Sequence, residues 1–212
     1  MLKAFKILSL LLIAMSFTSC IELVEEIKIN TDLSGKYHLY LKHDGLEFVF
    51  KSITQNIDLT ELNKRLQILE QQEGIQNLRT NINLKKGIFS IQFNFSDAKN
   101  LTRAFYASLG AKKRFYHKSF LKVNQSKIVR PNLRSYLIKY AHKKGLINKI
   151  PSERILEYVN YRFRVISPRP IKTAWLPNKP TQSNPLEYNQ IYTMRALFHD
   201  DLNTKCVIRL SK

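Results

Sequence analysis

The chain has 212 residues, 44% hydrophobic and 24% charged, with 35 Lys and Arg against 16 Asp and Glu, and a length that fits one sizeable domain. Its six glycines, at 35, 45, 74, 87, 110 and 145, are too dispersed for a phosphate-cradling loop, and no HExxH, GxSxG or CxxC pattern occurs. Nucleotide binding and the commonest zinc, serine-hydrolase and dithiol chemistries therefore lack their motifs.

Residues 1–19 read as a signal peptide. Lys3 and Lys6 make a positive start, Ile7 to Met15 an uninterrupted apolar run, and Ser16-Phe17-Thr18-Ser19 a small, polar approach to Cys20. The apolar run is too short to span a bilayer, which takes about 20 residues. Phe17-Thr18-Ser19-Cys20 resembles the bacterial lipobox, with an aromatic where an aliphatic residue is usual. That resemblance implies a diacylglycerol thioether on Cys20, cleavage before it, and acylation of the new amino group by a chain such as palmitate. Two or three chains anchor a protein stably without a spanning helix. The competing reading is an ordinary secretory signal with Cys20 incidental.

From residue 20 onward the sequence reads as a single lipid-anchored α+β domain, built from antiparallel hairpins packed by a few amphipathic helices. Leu23, Glu25, Ile27 and Ile29 alternate with Glu22, Val24, Glu26 and Lys28, so a strand begins almost at the anchor with no flexible tether before it. Asn30 to Gly35 supplies a turn, and Tyr37, Leu39 and Leu41 continue a second strand. Asp58, with Glu61 three residues on, starts a helix whose Leu59, Leu62, Leu66 and Leu69 form a core stripe. Ile82 and Leu84 lead through Lys85-Lys86-Gly87 into Phe89, Ile91, Phe93 and Phe95, the clearest strand pattern of the chain. Ser96 or Asp97 then caps a helix that turns Leu101, Ala104, Phe105 and Leu109 inward and ends at Gly110.

Charge is concentrated in the next segment. Cys20 to Thr102 carries 10 basic and 11 acidic residues, Arg103 to Lys172 carries 18 and 2, and Thr173 onward 5 and 3. Such a block marks either a solvated face or a surface for an anionic partner. Within it a basic helical elaboration is expected around 110–150, with a helix from Pro131 to Lys144 closed by Gly145. The candidate anion-binding residues are Lys112, Lys113, Arg114, Lys143 and Lys144, joined by Arg162 and Arg164. Those two arginines share one face of a strand whose other face is Val159, Tyr161, Phe163 and Val165, where they can grip a phosphate or carboxylate or blunt a sheet edge. Ser167 to Pro185 reads as an irregular connection with at most a short edge strand. Tyr188 to Phe198 and Thr204 to Leu210 read as a closing hairpin across His199-Asp200-Asp201-Leu202-Asn203. In its second arm, Cys206 alternates with Ile208 and Leu210 as a small core thiol.

An acidic strand directly after the lipidated cysteine, a Ser-Gly turn, a hairpin ending in Ile91-Gln92-Phe93-Asn94-Phe95-Ser96-Asp97 that runs into a helix, and a late strand closing in Val165-Ile166-Ser167-Pro168 together resemble the LppM-like bacterial envelope lipoprotein domain. The family's usual Asp-Gly before the turn is Asp32-Leu33 here. The resemblance implies an α+β fold on the outer face of a membrane and brings no catalytic residues.

Two functions follow from the residues. One is a non-enzymatic lipoprotein of the cell envelope, anchored through Cys20, whose basic face meets anionic lipid or polysaccharide in a salt-sensitive way. An exported protein rarely meets nucleic acid, so nucleic acid is not the expected partner. The other is a hydrolase of an anionic envelope polymer using His199 with Asp200 or Asp201; ordinary turn chemistry accounts for that triplet more simply. No motif implies a cofactor or a metal. Ile21 is not the aspartate that commonly holds lipoproteins in an inner membrane, which points to the outer membrane.

Overall fold

A computed structural model of the chain describes residues 21–43, 54, 57–111, 118–132, 134, 138, 152–175, 184–200 and 202–211. Among these residues the fold is α+β, with two sheets and four helices. Cys20, Lys112, Lys113, Arg114, Lys143 and Lys144 lie outside the described residues. So does most of the helix expected over Pro131 to Lys144, of which Arg134 and Ile138 are helical.

The chain enters at once as strand β1 (Ile21–Ile29), which turns through Asn30–Ser34 into antiparallel β2 (Gly35–Lys42). Asp32 accepts from the Ser34 N–H and hydroxyl, while Leu33 takes a left-handed φ of 69°. Gly35 is obligatory for packing, because a Cβ there would lie 2.4 Å from both the Lys28 carbonyl oxygen and the Phe95 ring.

Helix α1 (Leu59–Glu70) is capped by Asp58, which accepts from the N–H groups of Thr60 and Glu61. It buries Leu66 and Leu69 but leaves Leu59 exposed, so the expected leucine stripe is core only at its far end. Strands β3 (Ile75–Asn83) and β4 (Ile88–Phe95) form the second hairpin, and Asp97 caps α2 (Ala98–Ser108). Gly110, with φ 71°, ends α2: its N–H and that of Ala111 return to the carbonyls of Ala107 and Tyr106, closing a Schellman motif.

Strands β5 (Lys122–Asn124) and β6 (Lys127–Arg130) form a hairpin inside the basic segment. Helix α3 (Glu153–Glu157) leads into β7 (Val159–Ile166). Then come the short edge strand β8 (Ile171–Trp175), β9 (Glu187–Thr193), helix α4 (Met194–His199) and β10 (Cys206–Leu210).

The larger sheet has the order β3-β4-β2-β1-β7-β9 and the smaller β5-β6-β10-β8. Among the described residues only the β1–β7 pairing is parallel. The closing hairpin is corrected here: β9 pairs with β7 in the larger sheet, while β10 pairs with β6 and β8 in the smaller. Thr193 accepts from the Ala196 N–H and caps α4 between the two strands, so His199 ends a short helix and does not open a turn. One core joins both sheets to α1 and α2, with Ile27, Phe93, Leu101, Ile128, Val165 and Ile208 each at most 1% exposed.

Candidate functional site

Between the larger sheet, α2 and α4 lies a cavity of about 340 Å³. Leu23 and Glu25 of β1, Tyr37 and Leu39 of β2, and Tyr161 and Phe163 of β7 face it from the sheet. Phe105 and Leu109 of α2, Phe120, and Leu197 and Phe198 of α4 close it from the other side. Phe105 and Phe120 stack at 3.9 Å between centroids, with Tyr37 edge-on to Phe105 at 5.2 Å, so part of the wall is a fixed aromatic surface.

Four charged residues join this mostly apolar lining: Lys118 and Arg134, which donate to backbone carbonyls of Asn132, Leu197 and Phe198, and the buried pair Glu25 and Arg130. The period-two pattern that points Leu23, Ile27 and Ile29 inward also points Glu25 inward, and the side chain is only 5% exposed. Its partner comes from the other sheet: Arg130, 9% exposed, places Nη1 2.8 Å from Glu25 Oε2. The guanidinium lies between the Phe163 and Phe120 rings, at 4.1 and 5.0 Å from their centroids, where cation–π attraction offsets part of the lost hydration. Tyr161 donates its hydroxyl to the same Oε2. Burial pushes the Tyr161 and Tyr37 phenols well above their ordinary range; the Glu25 charge adds to this, and Arg130 opposes it. Burial alone would lower the Arg130 pKa, yet the Glu25 carboxylate and Tyr161 carry it upward, so the arginine stays charged. Glu25 Oε1 is fully buried without a hydrogen bond of its own, while Arg130 Nη1 is held in the ion pair with Oε2.

Arg162 and Arg164 do share one face of β7, and it is the sheet face turned away from the cavity, since Tyr161 and Phe163 alternate with them. What they hold is the chain's own carboxylates. Arg162 Nε and Nη2 reach Glu22 Oε1 at 2.9 and 2.8 Å. Arg164 bridges Glu26 at 2.8 Å and Glu187 at 2.6 Å. The parallel pairing with β1 places the acidic residues of the N-terminal strand beside these arginines. His199 contacts Glu153 Oε1 through Nδ1 at 3.1 Å, beside Arg195 and Glu157, in a surface cluster that ties α3 to α4. Asp201 lies outside the described residues, and His199 and Asp200 do not line the cavity.

Sequence reading missed Glu25 and Arg130 as a pair. The signal was present: Glu25 occupies an inward position of an otherwise apolar alternation, and Arg130 follows Ile128 at the same period. A charge on a core face needs a partner.

Fold and site thus define a two-sheet α+β domain with an apolar cavity and a buried ion pair at its wall. Among solved structures, the chain is similar to the folded domain of the Mycobacterium tuberculosis LppM protein, determined by NMR, at 10% identity over 90% of this chain and 89% of that one, with a TM-score of 0.41. No protein-family model matches the chain, and no curated protein matches it.

Proposed function

We propose that the protein is a lipoprotein of the cell envelope, anchored through acylated Cys20, that binds an apolar or amphiphilic molecule in the cavity between its larger sheet and helices α2 and α4. The observation that carries this reading is the cavity itself. Its volume of about 340 Å³ falls within the roughly 300–1,000 Å³ of small-molecule sites, and its wall is mostly aromatic and aliphatic with a few convergent polar groups. The signal architecture ahead of Ile21 supports the envelope address, and Ile21 after the cysteine favours the outer membrane. Binding is the role assigned, because His199 sits in a surface cluster apart from the cavity.

The test is extraction of bound small molecules from protein purified out of its own membranes, read by mass spectrometry, beside a Leu197→Trp variant whose indole fills the cavity. A hydrophobic species present in stoichiometric amount in the wild type and absent from the variant is the expected result. Equal recovery from both would locate binding elsewhere.

The basic segment supports a second role at the same membrane, contact with anionic lipid or polysaccharide. Lys118, Lys122 and Lys127 are exposed there, and the segment's 18 cations outnumber its 2 anions even with Arg103, Arg130, Arg162 and Arg164 held by carboxylates from elsewhere in the chain. An external anion could use Arg162 and Arg164 only by displacing Glu22, Glu26 and Glu187.

A further inference from the structure

Two pairs of cations face one another across strands at one end of the fold. In the larger sheet Lys28 of β1 stands directly opposite Lys36 of β2, and in the smaller Lys127 of β6 stands directly opposite Arg209 of β10. Side chains so opposed have Cβ atoms about 4.5–5.5 Å apart, where like charges destabilise a sheet. Among the described residues no carboxylate meets any of the four. Glu22, Glu26 and Glu187 are taken by Arg162 and Arg164, Glu25 by Arg130, and Asp32 by Ser34. The described strands of the smaller sheet hold no acidic residue. Lys28, Lys127 and Arg209 are exposed and Lys36 is half-buried. Folding gains nothing from setting like charges opposite one another in both sheets, whereas an anion held between them relieves the repulsion.

Position selects the anion. Lys28 lies seven residues along β1 from Ile21, a distance of about 23 Å at roughly 3.3 Å per residue. The β5–β6 turn reaches that same end: Asn124 and Gln125 border a small hollow with Thr31 and Leu33, and Ser126 accepts from the Leu210 N–H. Exposed charges are screened over about 8 Å, so a bilayer holding the amino end lies almost three screening lengths from these cations. Their ladder neighbours are amides and a hydroxyl, with Asn94 beside Lys36, Asn124 beside Lys127 and Thr173 beside Arg209. Cations for acid groups, flanked by amides and a hydroxyl for sugar hydroxyls, match a polymer that carries both.

Resting on the envelope-lipoprotein reading above, we propose that the end of the domain remote from Ile21 docks an acidic polysaccharide, with its carboxylates between Lys28 and Lys36 and between Lys127 and Arg209. Of the two partners named for the basic surface, the placement of these four residues favours the polymer over lipid. Lys28, Lys36 and Arg209 also lie outside the basic third of the sequence and join it only in the fold.

The experiment uses the mature, acylated protein in phosphatidylcholine nanodiscs, titrated calorimetrically with oligoguluronate, with dextran oligosaccharide of the same length, and with single-stranded DNA of the same charge. Expected is saturable, salt-sensitive binding of the uronate and none of dextran, with DNA weaker because deoxyribose offers the amides no free hydroxyls. Lys127→Glu turns a repelling pair into an attracting one. Its Tm should therefore rise by about 1–3 °C while uronate affinity falls about tenfold, and Lys36→Glu should do the same in the larger sheet. Weaker binding by a more stable protein cannot come from misfolding. Unchanged affinity in both variants would overturn the proposal, and DNA bound as tightly as uronate would reduce the surface to a charge effect and sink the polysaccharide assignment. Loss of uronate binding in phosphatidylglycerol nanodiscs would show these cations lying on their own bilayer, against the placement argued. Intact mass of the same sample reports acyl chains on Cys20 separately, so a failed anchor and a failed docking surface read differently.

Discussion

Arg130 of the smaller sheet and Glu25 of the larger face one another at 2.8 Å, so a buried ion pair joins the two sheets. Such a pair is worth less than it costs to break, because removing one partner strands the other in an apolar wall. Arg130→Met is expected to lose about 3–5 kcal/mol in urea unfolding. The double replacement Glu25→Leu/Arg130→Met should lose less than either single change. Strict additivity of the two would show that the side chains do not depend on each other.

Cys20→Ser should abolish metabolic labelling by a clickable fatty acid and move the protein from the membrane to the soluble fraction. With no helix among the described residues long and apolar enough to cross a bilayer, the acyl chains carry the whole anchorage proposed. Label on the mutant equal to that on wild type ends the lipoprotein reading.

Binding to anionic vesicles should fall steeply between low and high salt. Charge reversal of Lys112, Lys113, Arg114, Lys143 and Lys144 should remove it, whereas reversal at Arg162 should instead cost stability through Glu22. Vesicle binding indifferent to salt would mean that these cations are only solvated.

Burial raises the Cys206 thiol to about 11, and the side chain is 1% exposed on β10. Near neutral pH a thiol-specific reagent should therefore react with it only as fast as the domain unfolds. Because its folded pKa is raised above the unfolded value, the neutral form stabilises the fold, and that contribution is lost as pH climbs from the unfolded pKa through about 11. Cys206→Ala should flatten the alkaline limb of a Tm–pH profile. Rapid modification in native buffer would contradict the burial.

Leu33 holds a left-handed φ of 69° in the β1–β2 turn, a conformation that costs a branched side chain about 1–2 kcal/mol. Leu33→Gly relieves that cost, less the extra entropy of glycine in the unfolded chain. The net expectation is a gain of up to about 1 kcal/mol in urea unfolding, with the hairpin register unchanged. A loss would show that the Leu33 side chain contributes more by packing than the backbone loses by strain.

Most of the local structure was legible because it is written locally. Asp58 and Asp97 cap the helices that follow them, Gly110 ends one, and the alternation through Phe89, Ile91, Phe93 and Phe95 makes a strand, each within a few residues. The division into two sheets was not. Tyr188 to Phe198 and Thr204 to Leu210 have the period of hairpin arms, but which neighbour a strand chooses depends on the sheet already present. Met194 to His199 is also a short helix that brief apolar runs do not distinguish from a strand. The pairing of Glu25 with Arg130 belongs to that same long-range choice. Arg162 and Arg164 share one face of β7 as their spacing indicates, but Glu22 and Glu26 lie 140 and 138 residues earlier and Glu187 on a different strand, beyond the reach of spacing.

The strand that follows Cys20 is central, flanked by β2 and β7, and Ile21 is wholly buried with its N–H given to the Tyr158 carbonyl. Its parallel neighbour arrives late: Glu26 and Arg164 are 138 positions apart. A chain made from its amino end therefore presents β1 long before β7 exists to cover it. On the lipoprotein reading proposed above, the acylated residue would stand directly before the wholly buried Ile21 of this central strand. Closure of the larger sheet is in this way set by topology, its central strand waiting for a neighbour made 138 positions later.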